Sequence, residues 1–362
     1  MEWIDFDEGI GDSTSGSHKI AKSDYLQEGI LPIIDQGRTF IAGYSNQLEK
    51  RYSGKLPCIV FGDHTRSFKY VDFSFALGAD GTKVLTAKKD FNTKYLYYYL
   101  RTIQLPEDLG YSRHFKYLKN IKLPLQSLQK QNDIVNVLDR NEFIIFKRQQ
   151  TIHLADELIR ATFYDMFGDP FVNNRKWEIL PLSQMIEIEN EIVKPEDITN
   201  GEIYVGLENI EKDTGKLVGV KQVDVGELGS AKFRFTKEQI LYGKLRPYLN
   251  KVATPDFDGI CSTDIFPITP RYDLVSREFM ASCFRHRAFV NYTSSQAVGA
   301  NLPRVNSTII KGYECIRPPL KSQQIYSELI QKIELQMKNY NESLHKMEEL
   351  NSSLLSKCFE YR

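Results

Sequence analysis

The chain has 362 residues, of which 41% are hydrophobic and 26% are charged, a composition typical of a globular protein with about two domains. No apolar run approaches the roughly 18 residues that a membrane span needs, and the acidic start MEWIDFDEGI lacks the basic residues of a signal peptide. We therefore expect a cytoplasmic protein that does not enter a membrane. The formal net charge of zero argues against strong unaided binding to DNA, because contacts with phosphates require an excess of basic residues.

Residues 1–122 form the first predicted domain, in which short β-rich runs alternate with turns. Strands are predicted at Cys58–Phe61 and Val71–Phe75, with turns at Gly62-Asp63 and from Gly78 to Gly81, and a helix is predicted over Lys94–Ile103. The polar loop from Gly62 to Arg66 is followed by Lys69. Arginine and other polar loop groups can hydrogen-bond base edges or phosphates, so this loop is a candidate DNA contact.

Residues 123–168 are predicted to form a long helix, because about 40 residues pass without proline or glycine, the residues that most disfavour a helix interior. Gly168-Asp169-Pro170 is expected to end this helix and to open the next domain. A helix of this length spans about 60 Å.

Residues 169–317 repeat the plan of the first domain. Strands are predicted at Tyr204–Leu207 and Gln239–Tyr242, and a helix over Ser276–Arg287. The segment 243–251 brings basic and aromatic side chains together within a short loop, a composition that suits a nucleic-acid surface.

Residues 318–362 are predicted to form a second long helix with the heptad pattern of a coiled coil. Its apolar seam comprises Ile330, Ile333, Met337, Tyr340, Leu344, Met347, Asn351, Leu354, Cys358 and Tyr361. Because a lone exposed helix with such a seam is unfavourable, we expect the two long helices to pack on each other.

An internal repeat relates the two halves of the chain. IKLPLQSLQ begins at Ile121 and IRPPLKSQQ begins at Ile316, an offset of 316 − 121 = 195 residues. A match of Glu157-Leu158 with Glu349-Leu350 indicates a competing offset of 192 near the end of the helices. The offset of 195 predicts that the seam of the first helix comprises Val135, Leu138, Glu142, Ile145, Gln149, Ile152, Asp156, Ile159, Phe163 and Met166.

Sequence signatures of catalysis are absent. The chain has no G-x-x-x-x-G-K-[ST] phosphate loop, no G-x-G-x-x-G after a predicted strand and no Cys-x-x-Cys pair. His64 beside Asp63 could form a base with an orienting carboxylate, but a loop histidine that contacts phosphate or solvent is the simpler interpretation. The sequence therefore predicts binding without a catalytic centre, a metal or a cofactor of its own.

The motifs resemble those of the specificity subunit of type I restriction–modification systems. The resemblance rests on the Pro-Leu-x-x-x-Gln helix opening at Pro124–Gln129 and Pro319–Gln324, and on Leu241–Lys251 followed by Cys261–Asp264. Val60–Arg66 with Leu77–Gly81 supports it in the first domain. Together these motifs extend over nearly the whole chain.

The resemblance implies an α+β fold: two α/β target-recognition domains, 1–122 and 169–317, separated by two long helices, 123–168 and 318–362, that form an antiparallel coiled coil. It also implies that each domain reads one half of a split target in double-stranded DNA, and that the helices bind two modification (methyltransferase) subunits. These partners would hold S-adenosylmethionine, and restriction and translocase subunits would use ATP and Mg²⁺.

Basic, polar and aromatic residues of both domains are the predicted DNA contacts: Arg38, His64, Thr65, Arg66, Lys69, Lys83, Arg113, Lys244, Arg246, Tyr248, Lys251 and Arg304. Two alternatives stay open from the sequence. One is a stand-alone restriction enzyme with an unrecognised active site, and the other is a coiled-coil scaffold whose domains bind proteins.

Overall fold

The computed structural model describes residues 2–78, 81–88, 90–105 and 113–359, so Ala79 and Asp80 of the predicted turn and the seam residue Tyr361 lie outside the described residues. The chain divides into two compact units. Unit 1 comprises residues 1–148 and 343–362, and unit 2 comprises residues 149–342. Each unit contains one α+β domain and one part of each of two long helices, α4 (Leu128–Phe167) and α9 (Leu320–Phe359).

The domain of unit 1 contains two sheets and a closing two-stranded ribbon. The strand orders are β2-β8-β5-β6 in the antiparallel sheet, β4-β3-β7 in the second sheet, where β3 and β7 are parallel, and β1-β9 in the ribbon. The elements are β1 (Glu2–Asp5), α1 (Phe6–Gly9), β2 (Ile10–Asp12), β3 (Leu31–Ile34), β4 (Gly43–Ser45), β5 (Cys58–Gly62), β6 (Phe68–Val71), β7 (Ala76–Leu77), β8 (Thr82–Ala87), α2 (Thr93–Arg101), α3 (Phe115–Leu118) and β9 (Lys122–Leu125).

The domain of unit 2 has the same plan, with two additional strands in the second sheet. The strand orders are β11-β19-β16-β17, β12-β15-β18-β13-β14 and β10-β20, and β13 and β18 are parallel. The elements are β10 (Glu178–Pro181), α5 (Leu182–Met185), β11 (Ile186–Ile188), β12 (Ile192–Val193), β13 (Glu202–Val205), β14 (Lys221–Val223), β15 (Lys232–Phe235), β16 (Ile240–Gly243), β17 (Val252–Ala253), β18 (Gly259–Ser262), β19 (Ile265–Pro270), α6 (Arg277–Arg285), α7 (Arg287–Gln296), α8 (Ser307–Lys311) and β20 (Glu314–Arg317).

These bounds confirm most of the predicted elements, among them the strand at Cys58–Phe61, the helices near 94–103 and 276–287, and the end of the first long helix at Gly168. Gly168 has a φ of +74° and its N–H bonds to the carbonyl of Tyr164, as expected for a glycine that ends a helix. The strand predicted at Val71–Phe75 is wrong. The strand β6 ends at Val71, and the chain bends before β7 begins at Ala76 and pairs with β3 instead.

Each long helix is fastened to its domain by one fully buried glutamine near its start. The Gln131 Oε1 accepts the N–H of Asn92 at 2.8 Å, and its Nε2 donates to the carbonyls of Asp90 and Gln126, both at 2.8 Å. Asn92 is the residue that caps α2. A buried amide with all of these bonds satisfied fixes the position of α4 against the start of α2.

Gln323 makes the same three contacts in unit 2. Its Oε1 accepts the N–H of Ser276, the cap of α6, at 2.9 Å, and its Nε2 donates to the carbonyls of Leu274 and Pro318. The two glutamines are therefore structural equivalents, separated by 323 − 131 = 192 residues.

The same offset of 192 relates the two halves along this whole region. Leu128–Phe167 corresponds to Leu320–Phe359, and the preceding strands β9 and β20 differ by the same number. The offset of 195 predicted from the Pro-Leu motif is wrong, and the alternative of 192 applies to the complete helices. The motif paired Gln129, which is exposed, with Gln324, whereas the buried glutamine stands two residues later in one helix and one residue earlier in the other.

The seam predicted for α9 is confirmed, since all nine of its described positions are buried or half-buried. The seam predicted for α4 is wrong in part. Gln149 is exposed. The carboxylate of Glu142 accepts a hydrogen bond from the hydroxyl of Tyr98 and forms an ion pair with Arg101, so it does not face the other long helix. Subtracting 192 from the α9 seam gives nine positions that are all buried or half-buried: Leu138, Asn141, Ile145, Arg148, Ile152, Ala155, Ile159, Thr162 and Met166.

Within each unit the two helices run antiparallel. In unit 1, Asn141 donates from Nδ2 to the Oδ1 of Asn351 at 2.9 Å, while Leu138 shares a core with Phe359. In unit 2, the rings of Phe163 and Phe167 lie 5.8 and 5.3 Å from the ring of Tyr326. Helix packing thus contributes to the core of both domains. Among the described residues, no helix combines the length and the apolar character that a membrane crossing requires.

Replacing Gln131 by leucine should lower the free energy of unfolding by about 1–3 kcal/mol, because the N–H of Asn92 and the carbonyl of Asp90 lose their buried partner. Denaturant unfolding, followed by the helical signal, measures this loss. Gln129→Leu is the matched control on the same helix, since Gln129 is exposed, and it should change stability by less than about 0.5 kcal/mol. Equal effects of the two substitutions would contradict the role of Gln131.

Candidate nucleic-acid interface

The two polar loops predicted from the sequence occupy equivalent places in the two domains. After β5, the N–H of Asp63 bonds to the carbonyl of Gly81, and the carbonyl of Asp63 accepts the N–H of His114. After β16, the N–H of Lys244 bonds to the carbonyl of Asp264, and the carbonyl of Lys244 accepts the N–H of Val305. Each domain therefore has its own set of equivalent backbone hydrogen bonds, and these hold the two loops at the same end of their respective sheets.

The loop in unit 1 packs closely against the segment 35–39. An added Cβ at Gly62 would lie 2.4 Å from the carbonyl oxygen of Gln36, so the close approach requires glycine at this position. The hydroxyls of Thr65 and Ser67 both donate to that carbonyl. Thr65 therefore lies in the predicted loop, and its hydroxyl is hydrogen-bonded to the backbone of the neighbouring segment.

Asp63 holds the loop to α3. Its Oδ1 accepts the N–H of Phe115 at 2.7 Å, and its carbonyl accepts from the Nδ1 of His114 at 2.9 Å. The carboxylate of Asp63 is buried in this contact, so its position is explained by the start of α3 rather than by an orienting role toward the half-buried His64.

Lys69 has a structural position. Its side chain is only 4% exposed, and its Nζ donates to the carbonyls of Asp35 at 2.9 Å and Thr39 at 2.6 Å. Burial lowers the pKa of Lys69, an effect that the nearby carboxylate of Asp35 opposes. We therefore do not include Lys69 in the candidate interface, although the sequence pointed to it.

Arg66 and Arg246 share an unusual backbone conformation, with φ of +60° and +52°. Arg66 stands four residues after Gly62, which ends β5, and Arg246 stands three residues after Gly243, which ends β16, so the two arginines lie in corresponding loops but not at the same loop position. Arg66 is half-buried and donates to the carbonyl of Leu105 at 3.4 Å, whereas Arg246 is exposed. A left-handed conformation is uncommon for a side chain of this size, and residues that adopt it are found in tight turns as well as in functional loops.

In unit 1, three basic residues, Lys83, Arg113 and Lys119, stand near Phe115, and these four residues are here called the Phe115 patch. The Nζ atoms of Lys83 and Lys119 lie 5.0 and 5.3 Å from the ring centroid of Phe115, and Arg113 is exposed two residues away. Lys83 also pairs with Asp12 at 3.3 Å. Lys119 was missed by the sequence interpretation, although it follows the aromatic run of α3. Arg38 is exposed on the segment that packs against the loop.

In unit 2 the residues Lys244, Arg246 and Arg304 come together, although the first and the last are far apart in sequence. Leu245 forms a β-bridge with Arg304, and the N–H of Arg246 bonds to the carbonyl of Pro303 at 2.7 Å. The guanidinium of Arg304 pairs with both carboxylate oxygens of Asp264, at 2.9 and 3.3 Å, and this contact raises the pKa of Arg304.

The remaining predicted residues of this loop differ in accessibility. The ammonium of Lys244 lies 4.9 Å from the ring centroid of Phe266, and its pKa is lowered by burial. Lys251 donates to the carbonyl of Leu207 at 2.6 Å and is half-buried. Tyr248 is exposed, as is Val298 on the facing segment, which the sequence interpretation did not select. The accessible charge of the loop therefore resides mainly in Arg246 and Arg304.

A metal site has no support in the part of the chain that the structure describes, where no group of three or more His, Cys, Asp or Glu side chains is suitably arranged. The five cysteines are free thiols, and burial raises the pKa of Cys58 and Cys261 to about 12.

Comparison with known proteins gives two relatives in sequence and a similar solved structure. The chain is 30% identical over 190 residues to the type I restriction enzyme EcoDI specificity subunit of Escherichia coli, an alignment that covers 51% of the chain and 41% of that protein. It is 29% identical over 194 residues to the EcoR124I/EcoR124II specificity subunit of E. coli, covering 49% of the chain and 46% of the relative. No protein-family model matches the chain.

The fold is similar to the crystal structure of the S subunit of the type I restriction–modification system from M. genitalium. The TM-score is 0.67 at 13% sequence identity, with 100% of this chain and 97% of that chain covered. The resemblance to specificity subunits and the α+β fold expected from it are confirmed. The aligned part of the chain spans less than half of the length of each curated relative.

Lys69→Met should destabilise the protein by about 1–3 kcal/mol, because the carbonyls of Asp35 and Thr39 lose a buried donor. Denaturant unfolding measures the change. Lys83→Met is the control, since Lys83 is partly exposed and its pair with Asp12 is a surface ion pair worth less than about 1 kcal/mol. An unchanged stability of the Lys69→Met protein would show that the buried ammonium is not needed for folding and would contradict the structural role given to Lys69.

Proposed function

We propose that this chain is the DNA-recognition subunit of a type I restriction–modification complex, with one half of a bipartite target read by each domain. The observation that carries the proposal is that equivalent backbone hydrogen bonds hold a polar loop at the same place in two domains of the same fold, and that each loop contains an arginine with a positive φ. The similarity to two specificity subunits supports it.

The proposed DNA-contacting groups are the predicted residues that are exposed or half-buried. They are Arg38, His64, Thr65, Arg66, Lys83 and Arg113 in unit 1, and Lys244, Arg246, Tyr248, Lys251 and Arg304 in unit 2, and Lys119 joins them. Arginine can pair with two acceptors of guanine, and lysine neutralises phosphate. The loops supply few cations, so partner subunits are expected to provide much of the electrostatic affinity.

The chain is proposed to be non-catalytic and to bind no cofactor. Methyl transfer from S-adenosylmethionine would be performed by two modification subunits, and ATP- and Mg²⁺-dependent translocation and cleavage by restriction subunits. Stoichiometric binding of S-adenosylmethionine to the purified chain, or cleavage of DNA by it, would favour the alternative of a stand-alone enzyme.

Equivalent exposed apolar side chains on the long helices support docking of two identical partners. Phe143 is 60% exposed, and Leu335, its equivalent in the repeat, is 59% exposed. Leu158 and Leu350 form a second such pair, at 52% and 51%. Phe143 and Leu350 belong to unit 1, and Leu158 and Leu335 to unit 2, so each unit presents the same two positions. Contiguous exposed apolar patches, unlike single exposed residues, mark interaction surfaces, and we propose that each pair belongs to such a patch.

Arg246→Ala should weaken binding of the assembled methyltransferase to its specific target by about 1–3 kcal/mol if Arg246 reads a base, and Arg66→Ala should do the same for the other half-target. Mobility-shift titrations with specific and unrelated duplexes measure the effect. If either arginine contacts phosphate alone, affinity for all sequences should fall and the dependence on salt should weaken.

Arg271→Ala is the matched control, because Arg271 follows the far end of β19, away from Asp264, and pairs with Glu187 at 3.2 Å. It should leave binding unchanged. Full specific affinity in the folded Arg66→Ala and Arg246→Ala proteins would refute the assignment of the two loops.

Phe143→Glu and Leu335→Glu should each remove one modification subunit from the complex, and the double variant should remove both. A buried charge in the centre of an interface costs about 2 kcal/mol or more. Native mass spectrometry counts the bound subunits. Ile30→Glu and Ile192→Glu are controls at exposed apolar positions of the two domains and should retain two partners. Retention of both partners by the double variant would favour another docking surface.

A further inference from the structure

The hydrogen bond between the buried Asn141 and the half-buried Asn351 marks a difference between the two halves of the helix pair. Both residues occupy seam positions in unit 1, and their amides bond at 2.9 Å. Their equivalents in the repeat are Ile333 and Ile159, which pack against the core of unit 2. Unit 1 therefore has a hydrogen-bonded asparagine pair where unit 2 has isoleucine at both equivalent positions.

The internal repeat gives α4 and α9 equivalent aromatic ends. Phe359, at the end of α9, lies 5.2 Å from the ring of Tyr95 in unit 1, and Phe167, at the end of α4, lies 5.0 Å from the ring of Phe279 in unit 2. Phe167 and Phe359 are equivalent, and so are Tyr95 and Phe279, the third residues of α2 and α6. The α4 helix of a second copy could thus present the same aromatic end to unit 1 as α9 does.

The asparagines distinguish these two arrangements. If two copies of α4 paired in the observed register, Asn141 would face Ile159 of the second copy, because Ile159 is the equivalent of Asn351. If two copies of α9 paired, Asn351 would face Ile333 of the second copy. Each exchanged pairing sets the buried amide of Asn141 or the half-buried amide of Asn351 against an apolar side chain and removes its hydrogen-bond partner, which is unfavourable.

We infer that the Asn141–Asn351 pair selects pairing of α4 with α9 of the same chain and disfavours exchange of helices between two copies. A polar residue at a single seam position is known to determine partner and register in coiled coils.

Two variants with the amino-acid composition of the original chain test this inference. The twofold variant, Ile159→Asn with Asn351→Ile, reverses the pattern: asparagine faces asparagine only when two copies of α4 pair, and isoleucine faces isoleucine when two copies of α9 pair. The fourfold variant adds Asn141→Ile and Ile333→Asn to these two changes. It moves the asparagine pair into unit 2 and makes same-chain pairing favourable again.

Light scattering of the purified full-length chains, with circular dichroism to compare helical content, gives the result. The original chain and the fourfold variant are expected to have the mass of one chain, and the twofold variant the mass of two. The dimerisation constant should change by about tenfold for each mismatched asparagine layer. A twofold variant that stays monomeric or loses its helices, or a fourfold variant that dimerises, would overturn the inference.

Discussion

The buried amides of Gln131 and Gln323 determine where each long helix begins relative to its domain, and the rest of the structure depends on this placement. Once the first turn of a helix is fixed, the helical period decides which side chains face the partner helix along the whole of its length. The asparagine pair, the aromatic ends at Phe167 and Phe359, and the exposed positions Phe143 and Leu335 all follow from the same starting point. A different register at the glutamine would turn each of them to another face.

Much of this fold could be predicted because its strongest signals are local. The heptads of α9, the long stretches without proline or glycine, and the terminating Gly168 all act within a few residues of where they stand. The offset of the repeat could not be settled in this way. The similar Pro-Leu segments favour the longer offset, whereas burial identifies Gln131 and Gln323 as partners and gives the shorter one. Both positions hold glutamine, so the residue type does not distinguish the exposed Gln129 from the buried Gln131. Only their contacts with residues distant in sequence do so.

The candidate interface shows the same limit. The loops at Gly62 and Gly243 were recognisable because turn residues and cations are adjacent in sequence. The burial of Lys69 could not be recognised in the sequence, because its hydrogen-bond acceptors are the carbonyls of Asp35 and Thr39, far earlier in the chain. The grouping of Lys83 and Lys119 about Phe115, and of Arg246 with Arg304, arises from contacts between segments far apart in sequence. Composition indicates which residues are suited to DNA, and tertiary contacts decide which of them can reach it.

The left-handed arginines have a consequence for engineering this chain. Glycine adopts such a backbone without the steric penalty that any larger residue meets, a difference of about 1 kcal/mol. Selection for thermal resistance alone would therefore favour glycine at positions 66 and 246. The same changes would delete both guanidinium groups. A library screened only for heat tolerance would thus accumulate well-folded proteins whose two loops have lost their most distinctive cations, and a counter-selection for ligand binding would be needed to keep them.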